Sequence, residues 1–174
     1  MADISAVFGI LLFLGIAFPG LLTTHYLLFP ATVERARLRL DRTPWLCFFV
    51  GGVITAIFAI PIVVLLAIPN GAVKFIGFAI LFVGLAVAAL GAAGLAAKMG
   101  ERLSARSANS IAPIGAFVRG ALALELAAAF PIIGWFIFIP LAIVLSLGAT
   151  AFALLRWVPR PVAQALADNV VPQA

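Results

Sequence analysis

The sequence predicts an all-α fold: a polytopic membrane bundle of about five transmembrane helices, with a short basic amphipathic helix after the first. Three observations predict it. Apolar residues make up 66% of the 174-residue chain and charged residues 10%, with a mean hydropathy of +1.28, whereas soluble domains are about 45–50% apolar and about 25% charged. The apolar residues fall in blocks long enough to cross a hydrocarbon core of about 30 Å. Short islands between the blocks hold most of the 11 Lys and Arg residues. On such a chain a net charge of +5 points to topology determinants and anionic lipid headgroups, not to nucleic acid.

The first block covers residues 4–29. The chain opens MADIS with Asp3 as its only early charge and carries the bulky HYLLFP where a signal peptide would be cleaved, so the block is expected to be a retained span. Pro19 and Gly20 predict a bend inside it, and Pro30 closes it. The segment ATVERARLRLDRTP then carries Glu34, Arg35, Arg37, Arg39, Asp41 and Arg42, with Val33, Ala36 and Leu40 recurring at helical spacing. That pattern predicts an amphipathic helix lying at the headgroups; a solvated loop is the competing reading.

Span two covers residues 45–68, with Trp45 as an interfacial aromatic, Cys47 in an inert buried role and Pro61 as a kink. Pro69, Asn70 and Gly71 make a short turn. Span three covers residues 72–97, where Gly77, Gly84 and Gly91 lie seven apart and share one helix face with Ala88. Such a small-residue stripe lets another backbone approach closely, although a helix rich in Gly and Ala also shows one by chance. The island KMGERLSARSANS contributes Lys98, Arg102 and Arg106 against Glu101, and lacks the G-x-x-x-x-G-K-[ST] pattern of a phosphate loop. Spans four and five, residues 111–130 and 133–157, form a hairpin that reverses at Pro131, Gly134 and Trp135. Residues 158–174 form a Pro-containing tail.

Five crossings with the N-terminus outside put nine basic residues inside, Lys74 alone outside and Arg119 within the membrane. That distribution obeys the positive-inside rule and places the C-terminal tail in the cytoplasm of a bacterial inner membrane.

Candidate chemistry is sparse. One histidine and one cysteine leave no set of ligands for an ordinary metal site. His25 is the candidate cofactor residue, as a single axial ligand to a haem or pigment; an interfacial side chain beside Tyr26 is the alternative. No base accompanies the Ser and Thr residues, so the chain is expected not to be an enzyme. Arg119 and Glu125 are the intramembrane polar residues. Six positions apart, they differ by about 9 Å in rise and about 120° in direction, so they pair poorly on one helix. Arg119 can extend to the headgroups, while Glu125 needs a partner helix, a hydrated cavity or a proton.

ERARLRLDRTPWLCFFVGG, the Gly/Ala-rich span ending AAKMGERL, and RGALALELAAAFPIIGWFIFIPLAIVLSLGATAFALL together resemble the multi-pass membrane region of bactofilin-like (polymer-forming cytoskeletal) and related bacterial membrane proteins. Ser146, Leu147, Gly148 and Ala149 stand for the last part of that family's closing hairpin, and the likeness covers residues 29–155. The β-helical bactofilin repeat is missing, so the resemblance implies an anchoring module and not filament formation.

The expected role is therefore a non-catalytic scaffold or accessory subunit that packs against copies of itself or other membrane subunits, through Gly77, Gly84, Ala88 and Gly91 and the region of Arg119 and Glu125. Arg35, Arg37, Arg39, Arg42, Lys98, Arg102 and Arg106 are expected to meet lipid headgroups. A small transporter or channel using Glu125 and Arg119 is the first alternative. A haem- or pigment-associated subunit of a photosynthetic or respiratory complex is the second. The sequence requires no cofactor, and lipid or pigment are the candidates.

Overall fold

The computed structural model describes residues 2–106 and 112–157, with side chains from residue 15 onward. The expected tail (158–174), Ile111 at the start of span four and the end of the second island (107–110) lie outside the described residues. Every regular element among the described residues is helical: α1 Ala2–Leu28, α2 Pro30–Arg42, α3 Pro44–Ala67, α4 Gly71–Ser104, α5 Pro113–Ala129 and α6 Ile139–Leu154. A π-helical turn, Gly134–Phe138, runs directly into α6. It sits just before Pro140, whose ring has no N–H to return to Phe136, and a widened turn accommodates that gap.

Among the described residues three stretches are long and apolar enough to cross a membrane: α3, α4 and the Gly134–Leu154 segment. A fourth is added if Gly15–Leu28 and α2, which meet at 107°, count as one broken span. Pro30 at the first position of α2 causes that break, because a proline opens a helix but cannot continue one. Large side chains face outward, with Ile132 and Phe136 at least three-quarters exposed, while Ala93, Ala96, Ala121, Ala149 and Ala153 are fully buried. A water-soluble fold hides its large apolar residues instead. The outward apolar helices are compatible with a multi-pass membrane protein.

Glycines set the crossings. A methyl group on Gly51 would overlap the Val144 carbonyl of α6, and one on Gly148 would overlap the Cys47 carbonyl of α3. Gly100 and Gly120 stand in the same relation where α4 meets α5, and Gly91 lies against the Ser146 carbonyl of α6. Beside that last contact the Thr150 hydroxyl donates to the Val87 carbonyl at 3.1 Å.

Two expectations need correction. Val33, Ala36 and Leu40 of α2 do not rest on lipid; they are buried against α4 and α6. Span three, expected to end at residue 97, does not stop there, because α4 continues through the second island to Ser104. Lys, Met, Glu, Arg and Leu are strong helix formers, and contacts with α2 and α5 hold this part of α4 in place. At the other end of α4, Asn70 caps the helix: its side-chain oxygen accepts from the Ala72 and Val73 N–H groups at 3.0 and 3.4 Å.

Candidate functional site

The charged groups gather at one end of the bundle, where α2 lies across the ends of α4 and α6. Ala36 of α2 rests on Gly94 of α4 so closely that a methyl on the glycine would come within 2.8 Å of the alanine methyl. This approach delivers Arg35 and Arg39, one helical turn apart, to the end of α6. Arg35 Nη1 donates to the Ala153 carbonyl at 3.1 Å. Arg39 donates from Nε and Nη2 to the Trp157 carbonyl, and its guanidinium carbon lies 4.6 Å from the centre of the Phe152 ring. Carbonyls at the C-terminal end of a helix carry partial negative charge, so two guanidinium groups are favoured there.

The end of α6 is itself unusual. The Arg156 N–H donates to Ala153 and the Trp157 N–H to Phe152, which closes a Schellman turn. The left-handed position in that turn, normally a glycine, is held by Arg156 at φ 52°.

On the other flank of α2, Lys98 of α4 donates to the Leu40 carbonyl and lies 3.3 Å from Asp41. Arg102 approaches the same carboxylate at 3.8 Å. Arg37 donates to both oxygens of Glu34, from Nη2 at 2.6 Å and from Nε at 2.9 Å, and from Nη1 to Glu101 of α4. The hydrogen bonds that Arg37 donates to Glu34 raise its guanidinium above its ordinary range, against the opposing effect of burial. A cavity of about 300 Å³ opens beside this pair and is walled by Tyr26 stacked on Phe117, with ring centres 4.3 Å apart.

Of the seven cations expected at headgroups, Arg35, Arg37, Arg39 and Lys98 thus reach protein acceptors. Arg42 and Arg106 are exposed, and Arg102 is exposed apart from its approach to Asp41. The four-residue spacing of Arg35 and Arg39 beside the Val33, Ala36 and Leu40 stripe is the one sequence signal that could have flagged the clamp. Its target, a helix end more than a hundred residues away, has no signature in the sequence.

The remaining candidates stand apart from this end. Arg119 projects from the exposed side of α5, while Glu125 is half-buried and faces α1, its Oε1 3.4 Å from where a methyl on Gly15 would sit. The structure does not bring the two together. His25 places Nδ1 2.8 Å from the Leu21 carbonyl of its own helix. A carbonyl can only accept, so in the neutral ring Nδ1 carries the proton and Nε2 keeps the lone pair a metal would use. Among the described residues no group of three His, Cys, Asp or Glu could hold a metal ion.

The glycine stripe divides. Gly91 meets α6 and Gly77 meets Leu65 and Leu66 of α3, Ala88 is buried, and Gly84 has nothing within 4 Å of its added methyl. Gly51, Gly94, Gly100, Gly120 and Gly148, which mark the closest crossings, were not singled out by spacing because each pairs with a distant helix. The chain matches no family model, no curated protein and no solved structure.

Proposed function

We propose that the protein is a five-crossing, non-catalytic scaffold or accessory subunit of a bacterial inner membrane, with its N-terminus outside and its basic end in the cytoplasm. In this reading α1 and α5 cross separately, and α2 turns along the inner surface. α1 is ample for a crossing at 27 residues, and the 17 residues of α5 span about 25 Å, at the short end of the range. Lys74 sits near the start of α4 and Lys98 about 36 Å further along it, a separation that supports the orientation. One observation carries the functional reading. The cations and carboxylates that converge at the polar end are bonded across helices, to backbone carbonyls and to one another, and so hold the bundle together.

Assembly would use the outer apolar surface, including the face around Gly84. A methyl at Gly84 has nothing of its own subunit within 4 Å, so a larger side chain there starts into open space and fills any flat contact with a neighbour. Gly84→Leu is expected to lose a specific oligomeric band on native gels of mildly extracted protein; an unchanged band refutes the contact.

A transport role is the second reading, and the half-buried Glu125 facing α1 is what favours it. It requires proton or solute flux in proteoliposomes that Glu125→Gln abolishes. A haem or pigment on His25 would appear directly in the absorption spectrum of the purified protein.

A further inference from the structure

Most of the basic residues at the polar end are consumed by protein acceptors, but one cleft keeps cationic capacity. It encloses about 200 Å³ between the end of α2, the start of α3, the last turns of α4 and the middle of α6. Lys98 and Arg102 stand at its rim, and Leu95, Met99 and Leu145 form its wall. Pro44 lines it as well, and the neighbouring Trp45 is largely exposed, where an indole marks the boundary between lipid and water.

We propose that this cleft binds one anionic phospholipid, with the headgroup phosphate on Arg102 and Lys98 and the upper part of an acyl chain along Leu95, Met99 and Leu145. The inference rests on the membrane placement proposed above and adds a specific lipid site to it. Charge is the first argument. Lys98 and Arg102 share a single carboxylate, Asp41, at 3.3 and 3.8 Å, which leaves one net positive charge to match one phosphodiester. The contact of Arg102 is the longer, and its side chain is 71% exposed, so its guanidinium is free to turn toward a phosphate and grip it with two donors.

Shape is the second argument. Leu95 lies seven residues before Arg102 on α4, about 10 Å along the axis, so the apolar wall extends below the charged rim. A free phosphate ion has no use for that wall, whereas a lipid fills both parts. Arg35 and Arg39 do not line this cleft; they turn toward the carbonyls of Ala153 and Trp157.

The two sides of the charge balance give opposite predictions. Arg102→Gln removes the free cation, and Asp41→Asn removes the competing carboxylate. Full-length protein would be extracted from membranes in mild detergent and titrated with phosphatidylglycerol, phosphatidylcholine and soluble glycerol phosphate, with bound molecules counted by native mass spectrometry. One phosphatidylglycerol should bind in preference to phosphatidylcholine. Arg102→Gln should reduce that preference about fivefold, the effect of one cation near a lipid phosphate, and Asp41→Asn should increase it. Binding of glycerol phosphate as tight as the lipid would make the site a phosphate site and overturn the proposal. Equal binding of both lipids, or a preference indifferent to Arg102→Gln, would reduce the bound lipid to an unselective shell and overturn it also. Recovery of the chain in the soluble fraction would instead overturn the membrane reading itself.

Discussion

Replacing Gly148 by alanine should weaken the bundle, although alanine is the better helix former. An added methyl would overlap the Cys47 carbonyl oxygen and stand 2.8 Å from its carbon and 2.9 Å from the Gly51 nitrogen. Ordinary contact between such atoms is about 3.5–4.0 Å, so α3 and α6 must part by roughly 1 Å. Overpacking costs about 1–3 kcal/mol, and the obstructing atoms here are backbone, which cannot rotate aside, so the upper end applies. The gain in helix propensity returns about 1 kcal/mol, leaving a net loss of about 2 kcal/mol. The control is the same substitution at Gly84, where nothing lies within 4 Å; there the propensity term acts alone and should stabilise the subunit by about 0.5–1 kcal/mol. Unfolding in mixed micelles under increasing dodecyl sulfate, followed by tryptophan fluorescence, reads both. Equal shifts of the same sign at the two positions would refute the argument that backbone contact sets the α3–α6 crossing.

Four further substitutions test the polar end and its neighbours by the same assay. Arg39→Ala, which strips the Trp157 carbonyl of two donors and the Phe152 ring of its cation, should cost about 2–3 kcal/mol. Arg37→Ala should cost under about 1 kcal/mol and lose even that in high salt, because its partners Glu34 and Glu101 are exposed. Thr150→Val keeps the shape of a fully buried side chain and deletes its bond to Val87. The loss should be about 0.6–1.7 kcal/mol, the range found for hydrogen bonds between membrane helices. Arg156→Gly relieves a left-handed backbone and should raise stability by about 1 kcal/mol.

Composition and hydropathy were enough for the helical class, for α3 and α4 as apolar helices of crossing length, and for an interruption of the helix after α5 at Pro131. These are local or additive properties: an apolar block stays apolar whatever it touches, and a proline interrupts hydrogen bonding wherever it stands. The amphipathic stripe of α2 was equally legible as a pattern, but its destination was not. Val33, Ala36 and Leu40 would read the same lying on lipid or on α4 and α6. The same holds for the arginines, whose charge is written in the chain while the acceptor is chosen by geometry. Only the folded arrangement brings Ala36 onto Gly94, and that approach turns Arg35 and Arg39 to the carbonyls of Ala153 and Trp157 while leaving Arg102 largely exposed. It likewise decides which glycines matter, since a glycine is required where two backbones meet, and such a meeting belongs to two helices at once and to neither sequence segment alone.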